Sequence, residues 1–317
     1  MSVHNSAALP VPAEADGLRL DRFLLEQFPF TRFNDVQRWC RTGQIRLNGN
    51  RVKPNQRLEA GQEVRLPPFL AARHGNEGEG EKPALLPLTA KEREEVLSWM
   101  IYQDAQLIAI NKPAGLPAQA GSGHVRSADR LLAMALNDIM PAGGRKQVRL
   151  LHRLDKVTSG VLLFATTRTA AEGVASQFRD RSMDKTYVAV VQGNLPEAAG
   201  VIRAPLMKEG TRIVVRPQGD SAETEYKVLG QPLAGFTTVQ LHPKTGRMHQ
   251  LRVHMAHLGC PMVGDVTYGW EGEIPAPWRA VGDNILLHAQ SLTLKHPSTG
   301  ESVTMTAPLP AYFPPLA

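Results

Sequence analysis

The fold is decided by residues 150–164, which read LLHRLDKVTSGVLLF. The polar half of this stretch leads at Gly160 into an unbroken apolar run with the length of a buried strand. Asp155 lies in the polar half between Arg153 and Lys156. A carboxylate that is drawn partly out of water beside cations is a candidate functional group, and an ordinary ion pair at a loop is the alternative left open by this spacing.

Two further polar clusters follow along the chain. Residues 242–255 read HPKTGRMHQLRVHM, a sequence that ends a strand and opens a helix near 247–258. His249 and His254 are five residues apart, which does not match the i, i+4 spacing of a helical zinc pair, so we expect no metal site. Residues 184–189, DKTYVA, place a tyrosine and a lysine at the start of a strand, where a tyrosine usually serves packing.

Strand-like runs outnumber helical patterns after residue 96. The strands are expected at 107–110, 160–165, 186–191, 212–215, 222–228, 237–241, 292–294 and 302–306. Helices are expected near 127–140, 168–182 and 247–258. Because strands and helices do not alternate regularly, the pattern predicts an α+β fold with a largely antiparallel mixed sheet in a domain covering 96–317. No phosphate-binding loop or dinucleotide fingerprint occurs, so no nucleotide cofactor is expected.

The N-terminal part is strongly basic. The chain carries 36 Lys and Arg against 30 Asp and Glu, a formal charge of +6, and residues 18–66 alone carry ten basic and five acidic side chains. Apolar spacing there predicts two helices, and Asn48-Gly49 predicts a hairpin behind them. This small αα-β domain, 17–67, is expected to bind a polyanion. Residues 1–16 are expected as a flexible leader and 68–95 as a linker.

Several classes of protein are excluded. Two cysteines, Cys40 and Cys260, are too few and too far apart for a disulfide framework or a cysteine-based zinc site. The N-terminus lacks the pattern of a signal peptide, and no apolar run reaches the length of a membrane span. We therefore expect a cytoplasmic protein with no membrane partner.

The motifs resemble those of a known family. HRLDKVTSG, KTYVAVVQG and TGRMHQLRVHMAHLGCPMVGD are similar to the signature stretches of the RluA-type pseudouridine synthases, and the resemblance runs from about residue 98 to 315. Met248 departs from that pattern, in which threonine is common. The basic stretch resembles the alpha-L type RNA-binding domain shared with a small-subunit ribosomal protein.

The resemblance implies roles for individual residues. Asp155 matches the catalytic aspartate, Tyr187 the tyrosine that stacks on the target base, and Arg252 the arginine that pairs with the aspartate. Further matches concern substrate binding: Leu251 lines the pocket, Arg153 fills the gap left by the extruded nucleotide, and Thr158 and Lys185 complete the set. The residues expected to bind RNA in the small domain are Arg32, Arg38, Arg41, Arg46, Arg51 and Lys53.

The function implied is the isomerisation of uridine to pseudouridine in RNA, without cofactor or metal. Large-subunit (23S) ribosomal RNA is the expected substrate and transfer RNA the alternative. A non-catalytic RNA-binding or ribosome-assembly factor of the same fold is the competing hypothesis. We expect a monomer, and the sequence does not identify the modified uridine.

Overall fold

A computed structural model describes residues 8–28, 31, 33–68, 70, 87–119, 126–137 and 148–315. The chain divides into two compact units, residues 1–84 and 85–317. No helix in the described ranges has both the length and the apolar composition to span a bilayer.

In its described residues, the small unit forms helices α1 and α2 and a four-stranded sheet. Its elements are β1 (Ala8–Pro10), α1 (Leu20–Gln27), α2 (Phe33–Thr42), β2 (Arg46–Leu47), β3 (Asn50–Arg51) and β4 (Glu63–Arg65). The sheet has the order β1-β4-β2-β3. The predicted hairpin is confirmed: β2 and β3 pair antiparallel across Asn48 (φ 47°) and Gly49 (φ 80°), which both take the left-handed conformation that a tight two-residue hairpin needs.

The expected leader is partly folded. Leu9 in β1 is 5% exposed and pairs with Val64 of β4, and Val11 is also buried. The prediction of a loose leader over 1–16 was therefore wrong for residues 8–16, because a three-residue strand buries one side chain and leaves no periodicity to detect. Pro10 is compatible with this position because β1 is an edge strand.

A helix occupies the end of the expected linker 68–95. Helix α3 (Ala90–Ser98) begins with a capping box, in which the Thr89 side chain accepts the Glu92 N–H and Glu92 accepts the Thr89 N–H. These two bonds satisfy N–H groups that a helix start otherwise leaves unpaired. The linker prediction was wrong for this segment.

The large unit contains a ten-stranded sheet and a separate two-stranded ribbon. In its described residues, the further α-helices are α4 (Ala128–Asn137), α5 (Arg168–Arg179) and α6 (Gln250–His257). Its strands are β5 (Met100–Gln103), β6 (Leu107–Lys112), β7 (Arg149–Leu150), β8 (Ser159–Ala165), β9 (Asp184–Gln192), β10 (Ala199–Arg203), β11 (Leu206–Glu209), β12 (Arg212–Val215), β13 (Glu223–Leu233), β14 (Phe236–Pro243), β15 (Leu287–Lys295) and β16 (Ser302–Thr306).

The main sheet is almost entirely antiparallel. Its order is β10-β13-β14-β9-β15-β8-β6-β5, with β16 paired to β15 and β7 paired to β8. The pairing of β15 with β8 is parallel and the other pairings are antiparallel. The predicted α+β class with a largely antiparallel mixed sheet is thus confirmed.

The centre of the sheet is buried on both faces. All seven residues of β8 are buried. On one face of the strand, Leu162 and Phe164 pack in a cluster with Leu132 of α4. On the opposite face, Leu163 packs in a cluster with Val174 of α5. Because both faces are covered, β8 is apolar throughout instead of alternating with polar residues.

A glycine makes the parallel contact between β8 and β15 possible. Gly160 has φ 112° and pairs with Ala289, and a Cβ on Gly160 would lie 2.2 Å from the carbonyl oxygen of Ala289. Next to it, the Ser159 hydroxyl lies 2.9 Å from Nδ1 of His288, and both residues are buried. The Thr-Ser-Gly motif therefore fixes the loop that precedes β8 against a strand more than 120 residues away.

Candidate active site

Asp155 lies in the loop that leads into β8. Its side chain is 29% exposed, so it is half-buried at the surface of the large unit. The backbone carbonyl of Asp155 accepts the N–H of Thr158 at 3.1 Å, which closes the turn before the strand. In the same loop, His152 accepts the N–H of Leu163 through Nε2, and burial lowers the pKa of His152 to about 4. A neutral histidine thus ties the loop to β8.

Arg252 connects two carboxylates. From α6 its Nη1 donates to Oδ2 of Asp155 at 3.2 Å, while Nε and Nη2 donate to the two oxygens of Asp265 at 2.7 and 2.8 Å. The side chains of Arg252 and Asp265 are 7% and 1% exposed. Burial disfavours the charge on Arg252, but the hydrogen bonds and charge of Asp265, and then those of Asp155, leave its pKa raised. The bidentate pair with Asp265 orients the guanidinium toward Asp155.

Tyr268 supports the same arginine. Its ring centroid lies 4.9 Å from the guanidinium carbon of Arg252, within the range of a cation–π interaction. Its hydroxyl accepts the N–H of Ile213 at 3.1 Å and lies 2.7 Å from Nδ1 of His249. Tyr268 thus contacts both side chains that approach Asp155 from the α6 side.

Tyr187 is half-buried on β9, opposite Ala289 of β15 and Leu241 of β14. Burial raises the pKa of its hydroxyl above the ordinary value, and the negative charge of Asp155 raises it further. The phenol therefore stays protonated within the electrostatic reach of Asp155. Leu251 is 6% exposed and belongs to the same apolar cluster as Tyr187.

The remaining predicted substrate-binding residues differ in exposure. Arg153 is exposed. Thr158 is 2% exposed, so its place in the turn serves the shape of the loop rather than a surface open to substrate. Lys185 is half-buried on β9, and burial, assisted by the charge of Arg181, lowers its pKa.

In the small unit, the residues predicted to bind RNA fall into three groups. Arg41, Arg51 and Lys53 are exposed. Arg38 pairs with Asp35 at 3.1 Å, and Arg46 donates to the carbonyl of Gly49 at 3.0 Å. Arg32 lies outside the described residues.

The sequence did not place four residues near Asp155: Lys112, His249, Asp265 and Tyr268. Lys112 is fully buried and donates through Nζ to the carbonyls of Pro113 and Leu116, each at 2.8 Å. Burial lowers the pKa of Lys112 to about 7, although the charge of Asp155 opposes this shift. A signal for Asp265 was present, because the quoted third motif ends on it, but thirteen residues of separation do not reveal a salt bridge.

The described residues contain no group of three or more His, Cys, Asp or Glu side chains placed to hold a metal ion. The site instead presents one partly exposed carboxylate, that of Asp155. The buried guanidinium of Arg252 holds it, and the protonated phenol of Tyr187 lies within its electrostatic reach. Such a carboxylate is fit to act as a nucleophile or a base.

Comparison with known proteins gives matches over both units. A family of RNA pseudouridylate synthases matches residues 106–257, and the S4 domain family matches residues 18–64. Ribosomal large subunit pseudouridine synthase C of Vibrio cholerae is 34% identical over 96% of this chain and 94% of its own length. The protein of the same name from Escherichia coli K12 is 35% identical over 94% of this chain and 92% of its own length.

Solved structures give a consistent result. Human RNA pseudouridylate synthase domain containing 4 matches with a TM-score of 0.57 and 28% identity, over 70% of this chain and 94% of that protein. Human RNA pseudouridylate synthase domain containing 1 matches with a TM-score of 0.53 and 26% identity, over 67% and 83% of the two chains.

Proposed function

The chain belongs to the RNA pseudouridylate synthase family, and from this premise we propose that it isomerises uridines of large-subunit ribosomal RNA with Asp155 as the catalytic carboxylate. The observation that carries the proposal is the geometry at Asp155: one carboxylate oxygen is held by Arg252 while the side chain remains 29% exposed. The ribosomal substrate is supported by the names of the bacterial relatives, which cover more than nine-tenths of the chain.

The reaction needs no net exchange of electrons or phosphate. The bond between N1 of uracil and C1′ of ribose breaks, a bond between C5 and C1′ forms, C5 loses its proton and N1 gains one. Asp155 supplies either a nucleophile for C1′ or a base for the proton on the 2′ carbon, and both routes require an ionised carboxylate. Arg252 donates a hydrogen bond to one oxygen of that carboxylate at 3.2 Å and so fixes its orientation.

The neighbouring side chains have complementary roles in this proposal. A uridine must leave its base stack, which costs a few kcal/mol, and stacking on Tyr187 returns about 1–3 kcal/mol. Leu251 lines the pocket for the base, and Arg153, which is exposed, is available to fill the gap in the RNA. Lys185 and the turn at Thr158 complete the substrate-binding set, with Thr158 acting through the shape of the Asp155 loop.

In this proposal the small unit supplies affinity for RNA. We assign direct phosphate contacts to the exposed Arg41, Arg51 and Lys53. Arg38 and Arg46 already bond within the unit and add to the positive potential. Arg32 belongs to the same proposed set.

The state of the protein in the cell is also part of the proposal. Asp155, Arg252, Asp265 and Tyr187 all come from one chain, so the site is complete without a second copy, and we assign a monomer. Sedimentation at micromolar concentration tests this assignment. We also assign the protein to the cytoplasm, because a bacterial ribosomal RNA substrate is made in that compartment.

The decisive experiment is Asp155→Asn. The product is followed by tritium release from C5-labelled uridine in large-subunit ribosomal RNA transcribed in vitro, because the proton on C5 leaves during the reaction. We expect tritium release to disappear while RNA binding stays within twofold. Asp180→Asn, at the exposed end of α5, is the matched control and keeps full activity.

Each alternative has its own outcome. Tritium release by Asp155→Asn at the wild-type rate removes Asp155 from the mechanism. If the wild type modifies transfer RNA faster than ribosomal RNA, transfer RNA becomes the assigned substrate. Binding of both RNAs with no tritium release by the wild type favours a non-catalytic binding protein.

A further inference from the structure

We propose that His249, held by Tyr268, is a positioning residue that controls the second oxygen of Asp155 and switches the enzyme off in acid. The inference rests on the proposed role of Asp155. It concerns the oxygen that Arg252 leaves unbound: Nε2 of His249 lies 3.7 Å from Oδ1 of Asp155, whereas Arg252 binds Oδ2. The carboxylate is thus bordered by a different side chain on each oxygen.

The backbone at His249 is strained in a way that serves this placement. His249 has φ 54° and ψ 18°, a left-handed conformation at the residue directly before α6. Non-glycine residues adopt this conformation only at a cost in free energy, and such outliers concentrate at functional sites. A histidine and not a glycine occupies this left-handed position, so the strained turn places an imidazole beside Asp155.

The side chain of Gln250, the residue after His249, holds the backbone of this turn in its strained conformation. Gln250 is 4% exposed, and its side-chain oxygen accepts bonds from the Thr245 hydroxyl at 2.7 Å and from the Arg247 N–H at 3.0 Å. Its side-chain nitrogen donates to the carbonyl of Glu223 and the hydroxyl of Thr224, each at 2.9 Å. Four bonds to buried or turn groups fix the start of α6 and leave the turn little freedom to relax.

The ring of His249 is fixed at its other nitrogen. Nδ1 lies 2.7 Å from the Tyr268 hydroxyl, which also accepts the N–H of Ile213. The two rings meet edge to face, with centroids 5.6 Å apart. Because Tyr268 holds Nδ1, Nε2 is the nitrogen that faces Asp155.

The charge of His249 decides what that nitrogen does. Several ionisable groups surround the pair: Asp155, Arg252, Asp265 and Tyr268 face His249, Lys112 acts on Asp155, and Arg212 lies over the Tyr268 ring. Burial lowers the pKa of His249 below its ordinary value, and Arg252 acts in the same direction, while Asp155 and Asp265 oppose the shift. At neutral pH the ring is therefore uncharged, and its Nε2, at 3.7 Å, lies beyond hydrogen-bond distance of Oδ1.

Protonation changes this arrangement. An imidazolium beside Oδ1 forms a charge-assisted bond to it, so both oxygens of Asp155 are then occupied by cations. A carboxylate held in this way is a weaker nucleophile and a weaker base. Activity is accordingly lost as the pH falls through the pKa of His249, and regained as the pH rises above it.

The test compares pH profiles of the single-turnover rate, from about pH 5 to about pH 8, with ribosomal RNA transcribed in vitro as substrate. His249→Asn is the main variant, since asparagine tolerates the left-handed conformation but carries no ionisable ring. We expect it to lose the acid limb of the profile, with RNA affinity unchanged.

Tyr268→Phe provides a second, independent variant. It keeps the ring beneath Arg252 and removes only the hydroxyl that holds His249. It should therefore weaken the acid limb, but by less than His249→Asn does. The double variant should equal His249→Asn alone, because the hydroxyl acts through His249. Tyr102→Phe is the control: Tyr102 lies on the edge strand β5, its hydroxyl donates to Asp104, and the loss of that hydroxyl should leave the profile unchanged.

Two results overturn the inference. One is a wild-type acid limb in His249→Asn or, if that variant does not fold, in Tyr268→Phe. The other is an equal shift in Tyr102→Phe. If Asp155→Asn is inactive while His249→Asn keeps the wild-type limb, only the role of His249 fails. If Asp155→Asn is active, the proposed catalytic role of Asp155 fails, and the role of His249 with it.

Discussion

The two units of this protein use charge in opposite ways. Beside Asp155 in the large unit, the charges of Arg252 and Asp265 are buried and bonded to each other. On the hairpin and second helix of the small unit, the charges of Arg41, Arg51 and Lys53 are exposed to solvent. In the first region the orientation of each charge matters, whereas in the second the number of positive charges matters. Substitutions in the large unit should therefore change stability and reaction rate, and substitutions in the small unit should change RNA affinity, with smaller effects.

The strongest test of this contrast uses one glycine from each region. Gly160→Ala should abolish the folded large unit, with a loss above about 4 kcal/mol in the free energy of unfolding, since the new Cβ collides with the Ala289 backbone. Gly49→Ala meets no atom within 4 Å and suffers only from φ 80°, so it should lose about 1–2 kcal/mol in the small unit. Thermal unfolding of both variants measures the difference. Similar losses in the two would show that the β8–β15 contact is more adaptable than its geometry indicates.

The next largest effect is expected from Asp265→Asn. It leaves the Arg252 guanidinium without its bidentate partner, and breaking a buried pair in this way costs about 3–5 kcal/mol of stability. The single-turnover rate should fall about 100-fold, because the arginine that aims Asp155 is displaced. Glu172→Gln, which breaks the exposed pair with Arg168, is the control and should change neither quantity. A fully active Asp265→Asn enzyme would contradict the orienting role.

The smallest effect per residue is expected on the small unit. Replacing Arg41, Arg51 and Lys53 together by Gln should reduce the slope of log affinity against log salt by about 2–3, since each phosphate contact contributes about 0.9. The rate with RNA at saturation should not change. Lys295→Gln, at the end of β15 away from His288, is the control. An unaltered slope in the triple variant would remove these residues from the RNA interface.

The elements predicted well from sequence share strong local signals. β8 is a continuous apolar run, and the hairpin at Asn48-Gly49 has a turn that few other sequences favour. The elements that were missed are short or exposed, such as β10 (Ala199–Arg203) and β5 (Met100–Gln103), where few residues are fully buried. Helix α3 had a readable capping box at Thr89 and Glu92, but its charged sequence resembled a linker.

The site was predictable only as far as motifs reach. Asp155, Tyr187 and Arg252 were proposed as site residues through the resemblance to a family, not through spacing. The contacts of Asp265 and of His249 were not predicted, because partners far apart in the chain are set by the packing of α6 against its neighbours. Tyr268 illustrates this best: its two roles, beneath Arg252 and beside His249, follow from its position in the fold alone.

The place of β15 in the sheet has a consequence for how the enzyme is made. This strand comes late in the sequence, at Leu287–Lys295, yet in the sheet it lies between β8 and β9. A growing chain that has not yet released β15 from the ribosome lacks the strand that joins the two halves of the sheet and anchors Ser159 through His288. The two halves of the sheet can therefore join, and Ser159 can be anchored, only after β15 has been synthesised.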